Sequence, residues 1–592
     1  MHDHKKELLV LSSKKAIDYF TKKQLSDSYV LATSPDVQAF LKLNKIFYYD
    51  TTDFFGAADH EKLLLVSHEL LGLIKNSLYE GYPASLINQI NIDFICFIRF
   101  HLFYYILISC AIDKLDVTQI SMDVVFKSET LHLYASRYNL NLNFYGLKVK
   151  PSFVSNAAKY IFRMYNHAAI FYINKFLKKQ DLVLLPSSSS KYSSIINAIK
   201  FDCTYVFLNS NSKDIKSFFK NLFHYKFVKS SYGCLLSKSE YKDSINLASK
   251  IRFDQNSKSE FLGFDLKPLL EQFLYGLDDT VVNYMRSDKL LKKIIYQNKI
   301  CLAVTDNALG VYGQLGEICV ANKVPSVLVS HGSHIAKNCP NSKLEWQVHA
   351  KTILNAIFGY LAIQTPHAEK FLANEDEVFG KKIKTGPLVI CRAFEKRVRD
   401  EKFEMHTKDK VIFLHAGTPK PLSHFRPWIY ETVDEYVRNI NDIINVVDNH
   451  KNAYLAIRFR EQKFISLEDF KSLLLPSKNY GIYCDNNLND YLLYTDYLIS
   501  YSSTTIEEAL HAQVPVIQYD PDGKYHHIEG VNIKRSESFS HSDIYTISSR
   551  KDLDWGVKQL IYIANENKNE NIDFSKHIMH DKTQNWLEEV LN

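Results

Sequence analysis

No C-x-x-C pair occurs among the nine cysteines (96, 110, 203, 234, 301, 319, 339, 391 and 484), so neither a zinc site nor a redox motif of that kind is encoded. The scattered, odd-numbered set reads as buried thiols of a reducing compartment. No dense Lys/Arg tract occurs either: the formal charge of +6 is spread as 72 basic against 66 acidic residues, which disfavours a dedicated nucleic-acid binder. A weak basic bias still suits a protein that handles anionic phosphates or visits an anionic membrane leaflet. The first residues, MHDHKKELLVL, lack a signal-peptide core with a cleavage site, so export is not expected. The longest apolar run, Phe94 to Ile112, carries Arg99 and His101 and falls short of a clean ~20-residue span, which predicts a buried helix. A Walker lysine motif, H-E-x-x-H, G-x-S-x-G and the kinase set are all absent, as is any short-period repeat, and no Asp-x-Asp of the kind a metal-dependent single-Rossmann transferase carries is expected at a strand end.

What is present is the composition of a folded protein, 46% apolar and 23% charged, over 592 residues, a length that calls for at least two large cores. Short β-rich runs alternate with helical periodicity. Tyr29–Ala32, Lys45–Tyr49, Asp123–Phe126, Leu142–Tyr145, Asp181–Leu185 and Tyr205–Leu208 read as strands, with helices over 59–78 and 86–112. One βαβ unit is complete: strand Ile300–Thr305, helix Gly313–Asn322, strand Ser326–Ser330. Tyr360–Gln364 follows, and the polar stretch 391–410 reads as a linker. Strands at Val411–His415, Ala453–Arg458, Tyr497–Ser500 and Pro515–Tyr519 then repeat the alternation, and Ser575–Leu591 reads as a closing helix. The pattern predicts an α/β protein of two Rossmann-like domains, 1–390 and 411–592, whose parallel sheets face a cleft. A polar insertion is expected near 210–260, and the last helix is expected to pack back on the first domain.

In parallel sheets ligands bind beyond the carboxyl ends of the strands, so the residues just after each strand carry the chemistry. Strand Tyr497–Ser500 runs into Tyr501-Ser502-Ser503-Thr504-Thr505 and a helix containing Glu507 and Glu508. Hydroxyls and free N–H groups at a helix N-terminus suit a phosphate; an ordinary N-cap explains the same residues. The stretch Asp496 to Asp522, with Val514-Pro515-Val516-Ile517 after the helix, resembles the nucleotide-binding half of the two-Rossmann glycosyltransferases, the GT-B architecture. It is also similar to teichoic-acid-type glycerophosphotransferases and to capsule transferases that use a CMP-activated sugar acid. Retaining GT-B members carry two glutamates seven residues apart, whereas here Glu507 and Glu508 are adjacent.

Three more places follow strands. His415-Ala416-Gly417-Thr418-Pro419-Lys420 is a Gly-containing loop that can bring N–H groups and a lysine to a phosphate. Arg458 and Arg460 close another strand and are expected on its opposite faces, one suited to a phosphate or sugar carboxylate and the other to solvent or a salt bridge. His331-Gly332-Ser333-His334 ends the βαβ unit and resembles the His-Gly loop of polymer-building transferases, where the histidine serves as general base. Asp306 and Glu317 compete with His331 for that role; either carboxylate can equally cap a helix. Gly310, Gly313 and Gly316 do not have dinucleotide-fingerprint spacing.

The resemblance implies a glycosyltransferase of bacterial surface polysaccharide (capsule, O-antigen or lipid-linked), inverting and metal-independent. The donor, CMP-, CDP- or UDP-linked, would rest on His415, Gly417, Thr418, Lys420, Arg458, Arg460, Ser502, Ser503, Thr504 and Glu507. His331, Asp306 or Glu317 would serve an acceptor in the first domain. No cofactor, metal or nucleic-acid partner is expected, and the location is cytoplasmic, with peripheral contact to the inner membrane face. A CDP-alcohol phosphotransferase, a nucleotide-sugar epimerase and a non-catalytic nucleotide-sugar-binding protein remain as alternatives.

Overall fold

A computed structural model of the chain describes residues 7–78, 82–123, 128–146, 153–186, 192–208, 227–228, 230–253, 259–330, 335, 339–390, 409–420, 426, 428–484, 488–566, 572–583 and 585–592. Three parallel sheets carry the architecture. The first is four-stranded, in the order β2-β1-β3-β4, from β1 (Glu7–Leu11), β2 (Tyr29–Ala32), β3 (Gln119–Asp123) and β4 (Asn141–Tyr145). The second is seven-stranded. It uses β5 (Leu182–Leu185), β6 (Thr204–Leu208), β7 (Phe227–Val228), β10 (Ile300–Thr305), β11 (Ser326–Leu328), β12 (Tyr360–Ile363) and β13 (Lys381–Lys384), in the order β13-β12-β11-β10-β5-β6-β7. A small hairpin, β8 (Glu260–Phe261) with β9 (Phe264–Asp265), lies outside it. The third, also seven-stranded, has the order β16-β15-β14-β17-β18-β20-β19. Its strands are β14 (Val411–Ala416), β15 (Ala453–Arg458), β16 (Tyr480–Tyr483), β17 (Tyr497–Ser500), β18 (Val516–Tyr519), β19 (Val531–Asn532) and β20 (Ile544–Ile547).

The chain is thus α/β with two Rossmann-like seven-stranded sheets, in the GT-B manner, and a further sheet before them. Strands such as Leu182–Leu185 and Val411–Ala416 are buried along their whole length, because helices cover both faces of a parallel sheet. The strands expected as one sheet before residue 390 form two. The first strand is Glu7–Leu11, whereas Lys45–Tyr49 contributes only a bridge, Leu31 to Tyr49. The stretch expected as one closing helix is a 3-10 turn, Ser575–His577, and a short helix, Trp586–Leu591. That last helix lies in the core of the second sheet, with Trp586, Leu587 and Val590 packed beside Val183, Leu185 and Val327. Of the expected insertion at 210–260, residues 210–226, 229 and 254–258 fall outside the described residues, while the rest includes β7 and the capped helix Lys238–Ala248; of the expected linker only 409–410 are described.

The apolar run belongs to the 32-residue helix Ala84–Leu115. It is long and apolar enough to cross a membrane, yet 67% of its most apolar window is buried inside the protein. Arg99 sits in its middle, only 1% exposed. Its guanidinium donates to Glu345 at 2.7 Å and to Ser67 at 2.8 Å, and so a buried charge is paired as burial demands. On the neighbouring helix Val311–Ala321, a Cβ at Gly316 would meet the Ile357 carbonyl at 2.3 Å, so glycine there permits close packing.

Residues of the first 115 bond to both larger sheets. Gln38 donates to Asp434 at 2.7 Å, the Thr51 N–H and hydroxyl donate to the same carboxylate at 3.0 and 2.5 Å, and His60 meets Glu435 at 2.7 Å. Asp434 and Glu435 begin the helix Val433–Asp448, which packs on the third sheet. On the other side, the Ser85 N–H and hydroxyl donate to Glu317 at 2.7 and 2.5 Å.

Candidate functional site

Each large sheet reverses direction at one point, and crevices open at such points beyond the carboxyl ends. In the third sheet the reversal lies between β14 and β17, with β15 on the far side of β14. The two strand ends are tied together: the hydroxyls of Ser500 and Thr505 both donate to the Ala416 carbonyl at 2.9 Å. The Gly417 loop and the hydroxyl-rich bend at 501–505 therefore lie side by side. Ser503 is the N-cap of the helix Thr504–His511, and its side chain accepts the Thr505 N–H at 3.2 Å. Ser502, Ser503 and Thr504 are half-buried around that N-terminus, where the helix dipole favours an anion.

Four cations gather at the same edge. Arg458 pairs in register with Ala416, and Arg460 shares its side instead of taking the opposite face, because residues two apart in extended chain point the same way while Phe459 between them turns inward to stack on Phe470 at 4.2 Å. Lys420 lies over the Tyr430 ring at 5.0 Å, with the Arg426 guanidinium at 5.8 Å from the same ring. Burial lowers the pKa of Lys420, and the nearby Arg426 and Arg460 lower it further. Burial and then Arg460 lower that of Arg458, against a smaller opposing effect of Glu508. Among the described residues, no carboxylate lies within ion-pair distance of these four. Mutually repelling positive charge, offset only in part by Glu508 and with Arg426 donating to His349, beside a helix N-terminus is an arrangement that an anion relieves.

The other expected donor residues have different surroundings. His415 is buried beneath the loop, edge-on to Tyr436 at 5.4 Å, and burial pushes its imidazole down to about 4. A Cβ at Gly417 would meet the Tyr436 and His415 rings at 3.4 and 3.5 Å, ordinary van der Waals contact, so the rings below leave room for a small side chain there. Thr418 is half-buried in the same loop. Glu507 points away from the cations: it is buried, accepts from Thr365 at 2.9 Å and stands 3.8 Å from His527. Thr365 caps the helix Pro366–Ala373 beyond β12, so Glu507 joins the two large sheets.

Of the acceptor candidates, His331 lies outside the described residues. Its described flanks do reach the seam between the sheets: the Ser330 carbonyl accepts from Gln364 at 2.6 Å, and Ile335 is buried in one cluster with Ala416, Ile506 and Ile528 of the third sheet. Asp306 is buried at the end of β10, the reversal point of the second sheet, and accepts from Asn307 at 2.8 Å. Glu317 has both carboxylate oxygens on Ser85, where it caps the Ala84–Leu115 helix, and burial raises its pKa. A base facing solvent is not what that geometry offers.

Pattern reading passes over a second group of residues at the same seam. Lys524, after β18, donates to Glu435 at 3.1 Å and lies over Tyr501 at 5.3 Å, while Glu431 next to them is pushed up to about 8 by burial. Against the expectation of none, an Asp-x-Asp does stand at a strand end: Asp520-Pro521-Asp522 directly follows β18. Asp520 accepts the Tyr525 N–H at 2.6 Å, and Asp522 pairs with Arg438 at 2.6 Å, so both carboxylates are engaged by the protein. The third unforeseen feature is a relay: His367 meets His577 at 2.9 Å, and His577 meets Asp543 at 2.6 Å. Partners 34 and 210 residues apart leave no periodic trace in a sequence.

Two parallel seven-stranded sheets with their carboxyl ends against one seam define the double-Rossmann class of fold. No family model matches the chain, and no curated protein matches it. Solved structures to which the chain is similar include UDP-GlcNAc 2-epimerase from Neisseria meningitidis bound to UDP-GlcNAc, at 12% identity, TM-score 0.37, covering 69% of this chain and 98% of that one. Sucrose-phosphate synthase from Thermosynechococcus elongatus is 11% identical with a TM-score of 0.32, over 70% and 94% of the two chains. The glycosyltransferase SnogD from Streptomyces nogalater is 12% identical with a TM-score of 0.33, over 66% and 91%.

Proposed function

We propose that this protein is a glycosyltransferase that binds a nucleotide-activated sugar at the third sheet. The observation that supports it is the gathering of Lys420, Arg426, Arg458 and Arg460, without a carboxylate partner among the described residues, beside the hydroxyl-lined N-terminus of the helix Thr504–His511. Such a site holds the phosphates of a CMP-, CDP- or UDP-linked donor. As the sugar–oxygen bond breaks, it stabilises the negative charge that grows on the leaving nucleotide. The Ser502, Ser503 and Thr504 hydroxyls and the loop N–H groups after Gly417 supply directional donors. Direct displacement with inversion needs one base on the acceptor side, and His331 is our first choice, with Asp306 second. The acceptor in this reading is a surface glycan or its lipid-linked precursor, met at the cytoplasmic face of a membrane.

A thermal-shift series with CMP, CDP, UDP, GDP and their sugars tests the donor site, because a ligand at ~100 times its dissociation constant stabilises by roughly 2.7 kcal/mol. Donor turnover should then require acceptor. Conversion of the free nucleotide sugar without acceptor would instead make the protein an epimerase, and turnover of CDP-glycerol alone a phosphotransferase. His331→Ala should depress turnover far more than donor binding, and intact activity would remove that assignment.

A further inference from the structure

Between Glu129 and Asp181 the chain contains no acidic residue and eight lysines and arginines, although acidic residues number 66 over the whole 592. That stretch contains the helix Phe153–Tyr172, which runs into a π-helical turn, Ile173–Leu177. Its inner side is buried against the second sheet through Tyr165, Ala169, Ile170 and Ile173. Its outer side is apolar as well: Tyr160 is 54% exposed, Met164 49%, Phe171 63% and Phe176 58%. Residues 160, 164 and 171 fall on one stripe at helical spacing. The wider π turn rotates Phe176 back onto that stripe. The rotation is visible in Lys175, whose ammonium lies 5.4 Å from the Phe171 ring and 5.5 Å from the Phe176 ring. Lys159 flanks the stripe, and Lys178 and Lys179 end it, all exposed.

We propose that this face docks the protein on an anionic lipid surface. Aromatic and Met side chains stand outward, where a soluble surface leaves large apolar groups isolated, and the cations around them complement acidic headgroups. Aromatic rings with amphipathic surroundings settle at headgroup depth, and lysine stems let the ammonium reach the phosphates while the chain lies flat. The helix precedes β5 by a short connection and so runs antiparallel to it. Its Tyr160 end therefore lies toward the carboxyl edge of the second sheet, and its Lys179 end toward the opposite edge. A membrane along the stripe lies beside the carboxyl edge, within reach of a lipid-anchored acceptor. A nucleic acid would also answer the charge, but it gives Met164 and Phe171 nothing to bury.

The test is flotation of the full-length protein, without nucleotide, with vesicles of phosphatidylcholine alone or with phosphatidylglycerol. Binding should require the anionic lipid and weaken as salt is raised. Phe171→Glu with Phe176→Glu should abolish it, and each lysine changed to Gln among Lys175, Lys178 and Lys179 should weaken it roughly fivefold. Nucleotide-induced thermal shifts should be unchanged in all these variants, which shows that they fold and keeps this result separate from the donor-site reading on which the acceptor argument rests. Absence of flotation of the parent protein at low salt, equal flotation of the double glutamate variant, or binding of a mixed-sequence RNA that vesicles do not displace would each overturn the proposal.

Discussion

Arg460→Gln separates a binding role from a structural one, because the two roles predict changes of opposite sign. Arg460 is exposed, has no carboxylate partner among the described residues, and depresses the pKa of both Lys420 and Arg458. Removing it relieves two like-charge contacts, each on the order of a few tenths of a kcal/mol at an exposed position. The ligand-free protein should keep its stability or gain up to about 1 kcal/mol, a rise of roughly 2–4 °C at most in the melting of a segment of this size. Affinity should move the other way. A charge-assisted hydrogen bond to phosphate contributes about 1.5–3 kcal/mol, so the dissociation constant for UDP or CMP should rise roughly ten- to hundredfold, with the difference shrinking as salt is added. Calorimetric titration with the two nucleotides and a melt without ligand give both numbers. A lower melting temperature together with unchanged affinity would refute the reasoning and make Arg460 a structural residue.

The remaining predictions concern the buried charges and close packing. Glu345→Ala should cost about 3–5 kcal/mol, read by chemical denaturation, because it strands Arg99 in the core, whereas Arg99→Met with Glu345→Leu should recover most of that loss. Glu431 keeps its proton in the fold up to about pH 8, while the unfolded chain releases it near 4.5, so folding loses stability as pH rises between those values. Glu431→Gln, which can still accept from Asn439, should therefore raise the melting temperature at pH 8 and leave it nearly unchanged at pH 4. Gly316→Ala should destabilise by roughly 1–3 kcal/mol, because the new methyl meets the Ile357 carbonyl and the Phe358 ring, and a thermal melt reads the effect.

What local pattern can encode was legible. The βαβ unit over 300–328 and the strands at 411–416, 453–458 and 497–500 show as apolar runs bounded by turns, because both faces of a parallel strand are buried. The separate first sheet was not, because β1 is only five residues next to a charged start and its partner β3 lies more than a hundred residues on. β16 escaped for a different reason: Tyr480–Tyr483 is a half-buried edge strand without an apolar run. At the candidate site, the hydroxyl bend and Lys420, Arg458 and Arg460 could be picked out as strand-end chemistry, whereas Arg426, which directly follows no strand, could not. The partners of Glu317 and Glu507 could not, since Ser85 and Thr365 are 232 and 142 residues away. An acidic side chain near a strand end looks the same in a sequence whether it faces a substrate or ties two helices together.

The bonds made by the first 115 residues bear on how far the two large sheets can move against each other. Gln38, Thr51 and His60 hold Asp434 and Glu435 on the third sheet's side, while Ser85 and Arg99 hold Glu317 and Glu345 on the second sheet's side. The N-terminal segment thus acts as a brace across the seam between the two large sheets. A wide swing of the two halves would have to break buried, charge-bearing contacts at one foot of the brace or the other. A ligand held between the two large sheets would then enter and leave by movement of loops and side chains, with the two lobes held at a nearly fixed angle.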